Sequence, residues 1–154
     1  MGTNGKPTDP FTGLVLSTSE APSRSELEAL FTCAGFPTSV STSLARAPLF
    51  AATVRRAVDA RLVAYTSLHA FADGEALEWT DLAVDPEFRT RGIGTALGNL
   101  VVEETQRLLA TRQQPWLRLY AKPRRGLADR YKRKHGFQPA DGGDLLVRKF
   151  SARG

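Results

Sequence analysis

The stretch Leu82-Ala83-Val84-Asp85-Pro86-Glu87-Phe88-Arg89-Thr90-Arg91-Gly92-Ile93-Gly94-Thr95 decides how this chain is read. An apolar run of strand character stops at a turn held by Pro86, and a basic, glycine-containing loop follows. Ile93, Leu97, Leu100, Val101 and Leu108 then recur on one stripe, which predicts an amphipathic helix from about Gly92 to Ala110. Such a strand–loop–helix unit can cradle an anion. Gly92 and Gly94 have no Cβ to hold a ligand away, and the first-turn amides of a helix lack intrahelical partners. Arg89 and Arg91 add charge and forked donors suited to phosphate oxygens, so a pyrophosphate is the natural guest.

Working outward, residues 13–18 read as a first strand, and Ser23 or Ser25 caps a helix running to about Cys33. Gly35 and Pro37 end that helix, and a Ser/Thr-rich loop with a weak second helix extends to Pro48. Strands are expected at 49–57 and 60–70 around a turn near Asp59, and at Glu78 to Val84 after a turn at Asp73-Gly74. Downstream of the long helix come a strand at 116–120, a short basic helix from Leu127 to His135 ended by Gly136, and a closing strand pair at Phe137 and 145–150. The fold class is α+β, or mixed α/β. Nothing divides the chain, so residues 1–12 are expected as a flexible N-terminal segment and 13–150 as a single domain.

With 154 residues, 42% hydrophobic and 24% charged, the chain has the composition of a globular domain rather than a disordered one. Its net charge of +5 conceals a division. Residues 1–88 carry 6 basic and 11 acidic side chains, whereas 89–154 carry 15 basic and 5 acidic ones. That asymmetry suggests an anionic partner for the second part and a cationic one near the first. Cys33 is the only cysteine, which excludes an intramolecular disulfide, and with only His69 and His135 no metal site is expected. Without an apolar run long enough for a membrane helix or a signal peptide, a cytoplasmic protein is expected, with no membrane partner.

The pattern Arg89-x-x-Gly92-x-Gly94, preceded by Leu-Ala-Val-Asp-Pro-Glu-Phe, closely resembles the acetyl-coenzyme A signature of the GNAT N-acetyltransferase superfamily. Leu127-Ala-Asp-Arg-Tyr131-Lys-Arg-Lys-His-Gly136-Phe137 is similar to that family's final helix and Gly-Phe turn. The motif matches cover about residues 78–98 and 127–137, and the element order covers nearly the whole chain. The resemblance implies a central, mostly antiparallel twisted sheet with flanking helices and a splayed strand pair that admits acetyl-CoA. It implies that the loop Arg89, Thr90, Arg91, Gly92, Ile93, Gly94 and Thr95 holds the pyrophosphate. The backbone at Leu82, Ala83 and Val84 is then expected to hold the pantetheine arm. Lys122 stands at a further implied cofactor contact, where the family usually has a small polar residue.

Acetyl transfer to an amine needs a neutral amine, donors for the oxyanion and a proton for the departing thiolate. Glu78 is the candidate base, eleven residues before Arg89, at the spacing of the base glutamate in histone-acetylating members of the resembled family. Strand alternation puts Glu78 on one face with Leu82 and Val84, and Trp79 and Asp81 on the other. Asp81 is the second candidate, and an ordinary carboxylate attracting cationic substrates is the alternative role for Glu78. Tyr131 is the candidate general acid. It stands five residues before Gly136, where the family's tyrosine stands four before and Lys132 occupies that place.

The expected function is an acetyl-CoA-dependent N-acetyltransferase acting on a primary amine, of a small molecule or a protein, by direct attack in a ternary complex. The acceptor would meet residues 34–48 and 70–77, which include Phe36, Phe71, Asp73 and Glu75. The competing readings are a non-catalytic coenzyme A-binding module and a nucleic-acid-binding module using the basic run Lys122, Arg124, Arg125, Arg130 and Lys132 to Lys134. Against nucleic acid, aromatics are not interleaved with that run. A dinucleotide-binding domain fails because Gly98 falls one residue late for the third glycine. A homodimer is left open.

Overall fold

The computed structural model describes residues 9–71, 75–123, 126–140 and 145–152. Its elements are β1 (Leu14–Ser17), α1 (Arg24–Ala34), α2 (Thr42–Ala45), β2 (Phe50–Arg56), β3 (Leu62–Phe71), β4 (Ala76–Val84), α3 (Ile93–Arg112), β5 (Trp116–Ala121), α4 (Ala128–His135), β6 (Gln138–Pro139) and β7 (Leu146–Ser151). One sheet takes the order β1-β2-β3-β4-β5-β7-β6, antiparallel except for the β4–β5 pair. The α+β class and the antiparallel sheet thus stand as expected. The turn at Asp73-Gly74 and the pair Arg124 and Arg125 lie outside the described residues.

Local chemistry explains the boundaries. Ser23 caps α1 in a reciprocal capping box with Glu26, and Gly35 closes the helix at φ 75°. Arg55 on β2 closes on both Glu20 and Glu26, tying the approach to α1 and its first turn to the sheet. At the start of the described chain, Phe11 packs against the cluster of Ala52, Val54, Phe88 and Ile93. The closing strand pair is shorter than expected, because β6 holds only Gln138 and Pro139 and Phe137 lies buried just before it.

The two sheet faces are covered unequally. On one face, α3 and α4 bury Leu68, Leu77, Trp79, Val101, Leu119 and Tyr131 in a continuous core. Gly98 makes this possible. A Cβ there would overlap the His135 imidazole and lie 2.8 Å from Trp79 Cη2, so the α3 backbone needs glycine to approach α4 and β4. On the other face, α1 covers Tyr65 and Ala83 through Leu27 and Phe31, joined by Phe36 just past the helix end.

β4 does not keep a single alternation. Tyr65 pairs with Ala83 but Ser67 pairs with Thr80, so β4 holds one extra residue at Asp81–Leu82. Asp81 takes φ 64°, a left-handed conformation that is uncommon for a residue with a side chain. The bulge overturns the expected face assignment. Glu78, paired with His69, faces the α2 side, whereas Leu82 and Val84 pack toward α3. Asp81 faces α2 with Glu78 rather than lying opposite to it.

Candidate functional site

The site begins where two strands part. β4 and β5 pair from Ala76↔Arg118 through Trp79↔Ala121, and beyond Trp79 the β4 edge has no strand partner among the described residues. Backbone amides and carbonyls from Thr80 to Val84 therefore border an opening. Two cavities lie along it, of about 520 and 310 Å³, and both are lined by Leu82 and Leu127.

The larger cavity is bounded by the anion cradle. Asp85 accepts from the Glu87 amide and starts a 3₁₀ turn at Pro86–Phe88. Thr90 (φ 66°) and Gly92 (φ 89°) then reverse the chain. Among the described residues no side chain caps α3, which leaves the amides of Ile93, Gly94 and Thr95 to face the cavity. A Cβ at Gly94 would meet nothing within 4 Å, so that glycine borders open space. Arg130 and Lys134, one helical turn apart on α4, line the opposite wall. Helix amides and two cations thus converge on a space suited to phosphate groups.

The two loop arginines have structural partners as well. Arg89 donates to Val84 O (3.1 Å) and Ala34 O (2.7 Å), joining the end of β4 to the end of α1. Arg91 donates to Thr12 O (2.7 Å) and lies over the Phe88 ring. Arg89 and Thr90 line the larger cavity. Ala83 turns its side chain into the core against α1, so only its backbone can serve a ligand.

The smaller cavity brings together Glu78, Asp81, Tyr131 and Lys122 with Phe36, Val40 and Thr42. Glu78 is half-buried and makes no hydrogen bond or ion pair among the described residues. Desolvation raises its pKa above the usual carboxylate value, opposed by the nearby cations Arg46 and Lys122. Asp81 is different. Its carboxylate is 3% exposed and accepts from Ser41 Oγ (3.0 Å), Thr42 N (3.2 Å), Ser43 N (2.6 Å) and Thr80 Oγ1 (3.2 Å). It caps the first turn of α2 from across the fold, so its oxygens are engaged in holding that turn.

Beneath α2, Ser43 Oγ donates to Ser67 Oγ and accepts from Tyr65 Oη, while His69 Nε2 lies 3.2 Å from both serine hydroxyls. Burial lowers the His69 pKa to about 4. Tyr131 stacks on Trp79 with ring centroids 4.4 Å apart and still lines the cavity, whereas Lys132 is exposed on the outer side of α4. Lys122 lies beside Glu78 rather than in the larger cavity.

Sequence reasoning left one contribution unresolved and missed two. The basic run holding Arg130 and Lys134 could be read as a contact for coenzyme A phosphates, but these two were not singled out, although their i,i+4 spacing is the signal of a shared helix face. The Ser41–Ser43 cap on Asp81 joins segments about 40 residues apart and has no local signal. Gly98 carries close packing and not ligand contact.

Comparisons with known proteins bear on the family and the fold. Residues 50–139 match a family model described as an acetyltransferase (GNAT) domain. No curated protein matches the chain. Among solved structures, a protein of unknown function from meticillin-resistant Staphylococcus aureus superposes with TM-score 0.67 at 17% identity, covering 84% of this chain and 96% of that one. The ribosomal-protein-S18-alanine N-acetyltransferase of Escherichia coli gives TM-score 0.56 at 17% identity, over 90% of this chain and 94% of that one. N-acetylglutamate synthase from Neisseria gonorrhoeae, complexed with coenzyme A and N-acetyl-glutamate, gives TM-score 0.60 at 16% identity, over 88% of this chain but 35% of that one. At these identities the likeness is one of fold. Among the described residues no helix is long and apolar enough to cross a membrane.

Proposed function

The chain belongs to the GNAT acetyltransferase family, and from that premise we propose that it transfers the acetyl group of acetyl-CoA to a primary amine by direct attack in a ternary complex. The observation that carries the reading is the parting of β4 from β5 beside two cavities that share Leu82 and Leu127 in their walls. One offers helix amides and cations, and the other a half-buried carboxylate without a partner among the described residues.

The residues fit the co-substrate. Gly94 borders open space, the α3 amides are uncapped, and Arg130 and Lys134 face them. These groups would hold the pyrophosphate, and the open β4 edge at Leu82, Ala83 and Val84 would hold the pantetheine arm. Acetyl-CoA supplies a thioester, whose carbonyl accepts attack. Glu78 takes a proton from the incoming ammonium, and its raised pKa brings it nearer to the amine it must deprotonate. The β4 backbone donors stabilise the developing oxyanion. Tyr131 is positioned by its stacking on Trp79 to return a proton to the leaving thiolate. Asp81 serves instead to hold α2, the wall of the acceptor cavity.

The test is thermal shift with coenzyme A and acetyl-CoA, followed by thiol release across a panel of amines. Stabilisation by both cofactors and amine-dependent thiol release are the expected results. Absence of stabilisation by either would overturn the reading.

A further inference from the structure

We infer that the acceptor amine is carried on an acidic peptide, which lies across the uncovered part of the sheet beside Glu78. This rests on the acetyl-transfer reading of the two cavities. It reverses the expectation that the acidic first part of the chain attracts a cationic acceptor.

The acidic side chains before Arg89 are mostly engaged in holding the fold. Glu20 and Glu26 close on Arg55, Asp59 on Arg56 and Asp85 on Arg61, while Asp81 caps α2. Of the described ones, Glu75 and Glu78 alone make no hydrogen bond or ion pair. The cations around Glu78 are less engaged. Arg46 donates to Ala70 O, which fixes its guanidinium near the carboxylate, and Lys122 stands on the other side.

Among the described residues, no helix covers the same sheet face past Glu78. Glu78 pairs with Tyr120 and Ala76 with Arg118, so these side chains point to one side. A groove of about 380 Å³ follows that side, lined by Phe71, Tyr120, Arg118, Trp116, Glu75 and Gln114. Arg118 stands directly opposite Lys149 in the β5–β7 register. Like charges so placed repel, and neither has an ion-pair partner among the described residues, so an anion between them would relieve a strain the fold leaves in place. Both cations also lie against the Trp116 ring, at 4.5 and 5.1 Å from its centroid.

Two features select a peptide. From Tyr120 to Trp116 the strip runs about 13 Å at strand rise, longer than a free amino acid and matched by four or five extended residues. Phe71 and Tyr120, with centroids 5.2 Å apart, form an apolar floor for side-chain carbons. A stacking nucleobase fits less well, because the Trp116 ring is already engaged by two cations. A second copy of the chain fits less well too, since a two-fold contact would set Arg118 and Lys149 against themselves.

The test uses C-terminally fluorescein-labelled pentapeptides with free N-termini, Ala-Asp-Glu-Glu-Leu and Ala-Lys-Lys-Lys-Leu, read by anisotropy and by thiol release with acetyl-CoA. The acidic peptide is expected to bind at least tenfold more tightly, more weakly at high salt, and to be acetylated faster. Replacing Arg118 and Lys149 together by Gln should remove about tenfold in its affinity, the scale of two exposed charge pairs, and leave the acetyl-CoA thermal shift unchanged. Equal or tighter binding of the basic peptide overturns the inference. So does preference for a single-stranded oligonucleotide, or self-association that the double replacement abolishes. Loss of the acetyl-CoA shift in the native protein overturns the enzymatic reading instead, whatever the peptides do.

Discussion

The two cavities that meet at Leu82 and Leu127 are built on different principles. The larger one takes most of its chemistry from main-chain groups between Val84 and Thr95, within one continuous segment. The smaller one is assembled from side chains of four separate stretches, near residues 36–42, 78–82, 122–123 and 127–131. Main-chain chemistry needs only the right backbone path, which a short motif can specify. Side-chain chemistry needs strands, a bulge and a cap to bring distant residues together. Two imidazoles are buried in the core nearby: His69 under α2, and His135 between α3 and α4.

Replacing Glu78 by Gln challenges the smaller cavity most directly. Turnover should fall about 10²- to 10⁴-fold near neutral pH, the range of general base catalysis, and least at alkaline pH where the amine deprotonates unaided. In the native enzyme kcat/KM should rise with pH through a value above the usual carboxylate pKa, and that limb should vanish in Glu78→Gln. Because burial disfavours the charged carboxylate, the variant should also melt at a slightly higher temperature at pH 7. An unchanged pH–rate profile would remove Glu78 as the base.

Gly94→Val challenges the larger cavity. The new side chain enters open space, so the melting temperature without ligand should stay close to native. The acetyl-CoA thermal shift should disappear. A native shift would show that the helix amides are not the phosphate seat.

Asp81→Asn should separate the two further. Weakening four hydrogen bonds to a buried carboxylate should cost about 1–3 kcal/mol in chemical denaturation. Acceptor KM should rise as α2 loosens, with acetyl-CoA affinity unchanged. A kcat loss as large as that of Glu78→Gln, without a KM effect, would make Asp81 the base after all.

A further effect is expected on stability in mild acid, away from both cavities. Burial lowers both histidine pKa values, so below about pH 6.5 the unfolded chain binds protons that the folded one does not. Stability should therefore decline as pH falls from 6.5, with the His69 contribution complete near 4. His69→Gln should flatten that slope in melts taken between pH 4 and 7, and an unchanged slope would argue against it.

The same distinction explains what could be read in advance. The loop and helix from Arg89 to Leu109, the Ser23 cap and the Gly136 stop are local features, and the sequence is legible there. The bulge is not. Asp81 adopts φ 64° with no glycine or asparagine to announce it, and strict alternation then misassigns every side chain from Asp81 to Val84. The partners of Arg89, at Val84 and Ala34, depend on α1 being folded against β4. The division of charge along the chain was plain in the sequence, but its meaning depended on pairings across the fold. Glu26 and Arg55 lie 29 residues apart, and Arg55 holds the Glu26 pKa down to about 2.

The extra residue in β4 also constrains how this chain can vary in length. Side chains in a strand alternate, so removing one residue between Thr80 and Leu82 shifts the rest of the strand to the opposite face. Ala83 would leave its place against α1, Val84 would turn away from α3, and the run into Arg89 would start out of phase. A deletion there acts as a frameshift in three dimensions, whereas point substitutions on the outer side of α4 leave that phase untouched.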